Sequence, residues 1–539
     1  MHKILTTHEL LDAIFTYLDR ESNVVNAQVC SAWLEPALDR IWAEVDTPCQ
    51  LFRLLAPLNV QVHLDGAHAH AFVRQPTRED WERFNTFARR VRRLRVYDHY
   101  NPDRRCLEPL GLLFFAVART RPLSRILPNL TKLEWCSTDP NERFDNLFLH
   151  EDVKSLTIAL HSDVENYPLK SRLRDIASIA PSLTEFALDN DAFGIIDVEH
   201  DLITLFDSLH SLAHISLPIY FLSSKLAERL SKSENIQRIS FQSDPHHVHR
   251  GFYTDATPFI PHFQPGAFAA LRYLALAATL HHVQNVVTDI HFPAGQLESL
   301  AVRVLGPEPE DAVHDFAWVV GERCKALTEL KLALSVPPVV AESLAHLPAE
   351  EAYEAVTMDT LRGFTNNLHN LKTFEITHAR PLELDDDNIA ELATMLPNLQ
   401  TLKLAHDPDD QVSSLLSFRA LVALANHCPN LRTVGLYLDS SRDLHELPIY
   451  PPRLANLRCL HVGHSTLTEE DRSTVVLFLS RIVSTAARLK WGTDREWIDD
   501  VVVEPLERVP LGHQSRWKAV EDLLAMALLV RGEERMRPA

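Results

Sequence analysis

The side chains in this chain best suited to chemistry are histidines. His246, His247 and His249 fall within "HHVHR" (246–250), and His281 and His282 follow as an adjacent pair. Imidazoles at that density bind zinc when a fourth donor, often a cysteine, stands at fixed spacing. No such spacing is present, and histidines of a surface loop are the simpler reading. The seven cysteines (30, 49, 106, 136, 324, 428, 459) are scattered with no C-x-x-C pair, which fits reduced thiols better than a disulfide framework. Cys428, in "CPN" just before a strand, reads as a small buried residue and not as a nucleophile. G-x-S-x-G, the Walker phosphate loop, G-x-G-x-x-G and H-E-x-x-H are all missing. Only 14 glycines occur, which leaves little for a loop that cradles phosphate. The expectation is a protein with no catalytic residue, no metal and no cofactor.

Charge is the next resource. "RRVRRLRV" (89–96) places Arg93 and Arg95 at alternate positions. If Val91, Leu94 and Val96 face a core, these two arginines project from the opposite face of a strand. There they can engage an acidic or phosphorylated client, form part of an import signal, or remain a solvated edge. Over the whole chain the net charge is −20, which argues against nucleic-acid binding by the molecule as a whole.

The elements that position such residues follow from one recurring phrase. "NLQTLKL" (398–404) has counterparts in "NLTKLEW", "SLTEFAL", "SLAHISL", "NIQRISF", "ALRYLAL", "QLESLAV", "ALTELKL", "NLKTFEI", "NLRTVGL" and "NLRCLHV", with weaker copies in "DVKSLTI" and "RVRRLRV". Their leading apolar residues are Val91, Leu130, Val153, Leu183, Leu212, Ile236, Leu271, Leu297, Leu327, Leu371, Leu399, Leu431 and Leu457. Apolar residues at offsets 0, +3 and +5 make a short strand, with the +3 and +5 side chains on one face and those at +2 and +4 on the other. Helical stretches such as "NIAELATML" and "SFRALVALANHC" lie between copies, with Asp386 or Asp387 as the expected N-cap of the first. Neither element can bury its own apolar face, so successive units must stack. At offset +8 ten copies carry Asp, Ser, Thr or His, able to hydrogen-bond a turn (Asp407, Asp439, Ser465 and Thr279 among them). On these residues, 91–491 resembles the leucine-rich-repeat family in its longer, helix-bearing form. That resemblance implies an α/β solenoid, a horseshoe with a parallel inner sheet and outer helices.

Residues 8–45 are a different object. Leu10, Leu11, Ile14, Phe15 and Leu18 form one apolar helical face, a second stretch carries Val29 and Cys30, and a third carries Trp33 and Trp42. So small a bundle holds more large apolar side chains than its own core can hide, and the surplus needs another surface. "ELLDAIFTYL", then "VVNAQVCSAW", then "IW" resemble, in order and spacing, the landmarks of the F-box. The family's usual Leu-Pro before the first helix is replaced by Thr6-Thr7. The resemblance implies three helices docking on the Skp-type adaptor, and through it a cullin, of a Skp–cullin–F-box ubiquitin ligase. It further implies an adaptor interface at Leu10, Leu11, Ile14, Phe15, Leu18, Val29, Cys30 and Trp33. An F-box followed by leucine-rich repeats resembles that ligase's substrate receptors. The plainer alternative is a scaffold unrelated to ubiquitin, in which the three helices only cap the solenoid.

The resulting layout is an F-box at 1–46, a helical connector or cap at 47–90, about thirteen irregular repeats at 91–491, and a capping segment at 492–539. Client contacts are expected at Arg93, Arg95, Lys132 and Glu134 on the strands, and at Phe252 and Tyr253 in the aromatic insertion 244–266. The client is read as a protein. The longest apolar run, "LGLLFFAVA", is too short for a bilayer, and an intracellular location, cytoplasmic or nuclear, is expected.

Overall fold

The computed structural model describes residues 7–62, 68–97, 110–122, 125–137, 144–160, 169–190, 194–241, 256–335, 354, 356–408, 413–492 and 511–536. The chain folds as two compact units, Met1–Leu217 and Pro218–Ala539.

The first unit opens with α1 (His8–Phe15), α2 (Arg20–Asn26) and α3 (Ser31–Ala43), which run straight into β1 (Glu44–Val45). There follow α4 (Pro48–Phe52), β2 (Leu58–Val62), β3 (His68–Phe72), α5 (Arg78–Ala88), β4 (Arg93–Tyr97) and α6 (Gly111–Thr120). The unit ends with β5 (Lys132–Ser137), β6 (Ser155–Leu160), α7 (Leu169–Ile179), β7 (Glu185–Asn190), α8 (Ile195–Ser208) and β8 (His214–Leu217). Strands β1, β4, β5, β6, β7 and β8 pair in that order, all parallel. The stretch expected to be a helical connector holds α4 and α5 but also, between them, the antiparallel pair of β2 and β3.

In the second unit the order is α9 (Ser224–Leu230), β9 (Arg238–Phe241), β10 (Tyr273–Ala277), α10 (Leu280–Thr288), β11 (Ser299–Arg303), α11 (Glu310–Arg323) and β12 (Glu329–Ala333). It continues through α12 (Met358–Thr365), β13 (Thr373–Thr377), α13 (Asp386–Met395), β14 (Thr401–Leu404), α14 (Arg419–His427) and β15 (Thr433–Leu436). Last come β16 (Cys459–His461), α15 (Arg472–Ile482), β17 (Arg488–Lys490) and α16 (Leu511–Met536). Strands β9 to β17 pair in sequence order, all parallel.

One register runs through each unit. The offset +3 residues Leu300, Leu330, Phe374, Leu402, Val434 and Leu460 meet as direct partners and are all buried. In the first unit Val45, Leu94, Leu133, Leu156, Phe186 and Ile215 do the same. A slip of one residue would turn each row outward, so this burial sets the register. The backbone reinforces it. The carbonyl one residue after the leading apolar position accepts two amides of the next copy: Arg92 O from Thr131 N at 2.8 Å and Lys132 N at 3.0 Å, and Gln400 O from Arg432 N at 2.7 Å and Thr433 N at 3.0 Å.

The asparagine of the "NL" phrase also has a structural reason. Asn129 Nδ2 donates to Arg89 O at 2.7 Å, Asn398 Nδ2 to His369 O at 3.4 Å and Asn456 Nδ2 to Pro429 O at 2.9 Å. Each reaches the same place in the preceding copy, so the residue clamps one repeat to the last. Between helices, α11 and α12 meet at glycines: a Cβ on Gly321 would stand 2.2 Å from the Gly363 carbonyl oxygen.

At the turns, Asp439 Oδ1 accepts from Ser441 N and Thr466 Oγ1, both at 2.9 Å, and Ser465 Oγ accepts from Leu438 N at 2.7 Å. The equivalent Asp191, Asp244, Thr138, His99 and His161 lie outside the described residues. The cap of α13 is Asp385 and not Asp386 or Asp387. Asp385 accepts from Asn388 N at 2.8 Å while Asn388 Oδ1 accepts from Asp385 N at 3.1 Å. Asp386 is instead drawn to the next copy, accepting from Ser417 Oγ at 2.6 Å. At the far end α16 buries Trp517, Val520, Leu524 and Leu528, with Trp517 Nε1 donating to Ser465 O at 2.7 Å.

Candidate functional site

The bundle of α1 to α3 has its own small core of Leu11, Phe15 and Ala37, with Ala27 and Trp33 packed against it. The rings of Phe15 and Trp33 meet edge to face, centroids 5.5 Å apart. Asp19 starts α2 by accepting from Ser22 N at 2.7 Å, and that backbone hydrogen bond holds its carboxyl below the ordinary range. The buried Asn23 then donates to Phe15 O at 3.1 Å and Leu18 O at 3.3 Å, closing the C-terminal turn of α1. Arg40 Nε meets Asp12 Oδ1 at 2.7 Å and ties α3 to α1.

These bonds fix which apolar residues face out. Leu11 and Phe15 are 1% and 2% exposed, so the expectation that they form an outward interface is corrected: their side chains fill the bundle. Leu10, Ile14, Leu18 and Val29 are 44%, 42%, 41% and 52% exposed, while Cys30 and Trp33 are half-buried. Tyr17, Val24, Val25 and Leu34 are exposed as well. Leu10 and Ile14 stand one turn apart on α1 and share a face. Both stripes of the helix are apolar, so periodicity alone could not tell the inner from the outer. Three short helices thus leave an apolar surface exposed that is larger than scattered single residues would make.

The remaining side of the bundle already has a partner in the same unit. Arg90, just after α5, pairs with Glu35 at 2.6 Å and with Asp39. Trp42 meets Phe87 edge to face at 5.7 Å, and Arg20 Nη1 donates to Gln50 Oε1 at 3.0 Å. Arg92 N donates to Ala43 O at 2.8 Å, joining the end of α3 to the sheet.

The expected client residues of β4 and β5 do come together, around one carboxylate. Glu134, buried, receives Arg93 Nη2 at 2.8 Å, Arg95 Nε at 2.5 Å and Lys132 Nζ at 3.2 Å. Arg93 also reaches Glu44 at 3.2 Å and Arg95 reaches Asp46 at 3.7 Å. Burial pushes the Glu134 carboxyl up, but the hydrogen bond from Arg95 and the charge of Arg93 outweigh it and hold the group at about 2. The arginines are thus already paired with carboxylates of their own chain. Phe252 and Tyr253, with His246, His247 and His249, lie outside the described residues.

His281 and His282 sit on α10, bonded to Asn285 and to the Thr279 cap. No group of three His, Cys, Asp or Glu among the described residues could hold a metal ion. Cys428 is buried between copies, its Sγ 3.5 Å from Leu396 O, and burial pushes its thiol up to about 12. No helix among the described residues is long and apolar enough to cross a membrane.

The fold these residues build is α/β, with parallel strands stacked copy by copy in the manner of a repeat solenoid. No family model matches the chain, and no curated protein matches it. Among solved structures, the complex of Rad7 and Elc1 from yeast is similar at a TM-score of 0.40 and 14% identity, over 75% of this chain and 88% of that one. A likeness this slight carries no argument about partners or activity.

Proposed function

We propose that the chain is a non-catalytic substrate-recognition subunit of a Skp–cullin–F-box ubiquitin ligase. The observation that supports this reading is the division of α1: Leu11 and Phe15 close a private core, while Leu10, Ile14 and Leu18, with Val29 beyond α2, remain outside. Burying four such side chains against an adaptor would contribute several kcal/mol, at roughly 1.5–3 kcal/mol each on full burial. A protein client would lie on the strand face or rim of the repeats. The work done is proximity: the client is held near a charged ubiquitin carrier, with no covalent step on this chain.

The test is co-purification of the full chain with a purified Skp-type adaptor. Ile14→Asp combined with Val29→Asp should abolish the complex and leave the thermal unfolding midpoint unchanged. Retention of the adaptor by that double variant would end the reading. A second reading, a scaffold whose N-terminal helices are only a cap, is favoured by the grip of Arg90 on Glu35 and Asp39. It becomes the better account if the unsubstituted chain fails to bind the adaptor at micromolar concentration.

A further inference from the structure

Between β15 and β16 the chain reads "LPIYPPR" (447–453). Leu447-Pro448 and Tyr450-Pro451 are two apolar–proline pairs three residues apart, and Arg453 stands two residues beyond the second. Polyproline II has three residues per turn, so pairs at this spacing fall on one edge of such a helix. Domains that read it offer aromatic-lined grooves for the pairs, and a carboxylate at the groove's end would take the guanidinium.

The structure presents this segment outward. Pro448, Ile449, Tyr450 and Arg453 are exposed, Tyr450 to 90%, whereas the flanking Leu444 and Leu454 are buried anchors. The backbone hydrogen bonds of the described residues include none to or from 447–453. The chain bends at Leu447, Ile449 and Tyr450, and straightening it breaks no such bond. A second stretch with the same proline spacing, Pro258 and Pro261, is the contrast. There Phe259 is buried, Ser224 Oγ donates to Pro258 O at 3.1 Å and accepts from Ile260 N at 2.8 Å, and Glu228 accepts from His262 N at 2.8 Å. That copy is tied down by its own repeat and carries no basic residue at the matching position. An exposed tyrosine and isoleucine between prolines gain nothing from solvent, and the burial missing here is what an aromatic groove would supply.

We propose that 447–453 is a docking segment for an SH3-type domain that reads proline–x–x–proline followed by arginine. The proposal is independent of the adaptor surface and adds a partner held by the connection between β15 and β16. The test measures binding of the full chain to a panel of purified SH3 domains selected for preferring that pattern. At least one domain should bind. Pro451→Ala and Arg453→Glu should each weaken that complex at least tenfold, and Pro452→Ala, at the intervening position, less than threefold. Unfolding midpoints should match across the three variants. The proposal is overturned if no SH3 domain of the panel binds or if Pro451→Ala leaves binding intact.

Discussion

Leu11 is 1% exposed and Ile14 42%, although both are aliphatic residues of the same short helix. Truncation therefore acts through different physics at the two sites. Leu11→Ala empties a packed site and should cost about 2–5 kcal/mol, read as faster amide exchange throughout α1 to α3. Ile14→Ala should change that exchange by less than about 0.5 kcal/mol. Glu134 makes a pH-dependent contribution of definite sign. Its carboxyl titrates at about 2 in the fold against an ordinary value of 4.5. A depressed carboxylate stabilises above its unfolded value, and the contribution is lost as pH falls from about 4.5 through 2. Glu134→Gln should thus flatten the acid limb of the unfolding curve, and an unchanged limb would show that the three cations around it are not coupled to it.

Each α/β step of the repeat depends on caps as much as on apolar rows. Asp385→Ala removes half of the reciprocal bond with Asn388 and should cost about 1 kcal/mol, seen as loss of exchange protection in the first turn of α13. The same cap shows where sequence reading stops. In "LDDDN" three aspartates can all serve, and what selects the first is Ser417 of the following copy, which engages Asp386. That contact is tertiary and has no local signature. The strand rows, by contrast, were legible, because an aliphatic ladder must repeat at equal offsets to be buried at all. The pair of β2 and β3 was not legible: "LNVQV" and "HAHAF" lack the repeated frame, and two-residue β1 is too short to show a period. The outer stripe of α1 was half legible, since composition revealed a surplus of aliphatic residues but not which of them the bundle keeps.

Across the whole molecule, stability is distributed over junctions between neighbours, so opening is local. The thiols report it. Burial pushes both Cys324 and Cys428 up to about 12, so neither reacts as a thiolate at neutral pH while its copy stays closed. Half-buried Cys30 and Cys459 should be alkylated first, and Cys324 and Cys428 should follow with two independent rate constants. A single shared rate would mean that the copies of this unit open together. The recurring carbonyl that takes two amides from its successor has a further consequence, for how such a chain changes length. The junctions from Arg92 to Thr184 and from Gln237 to Arg432 share this chemistry, so excising one complete copy among them leaves ends that match. Deleting one amino acid within a strand instead turns the apolar side chains beyond it in that strand to the other face. Duplication and loss by entire modules is therefore the mode of growth open to this architecture.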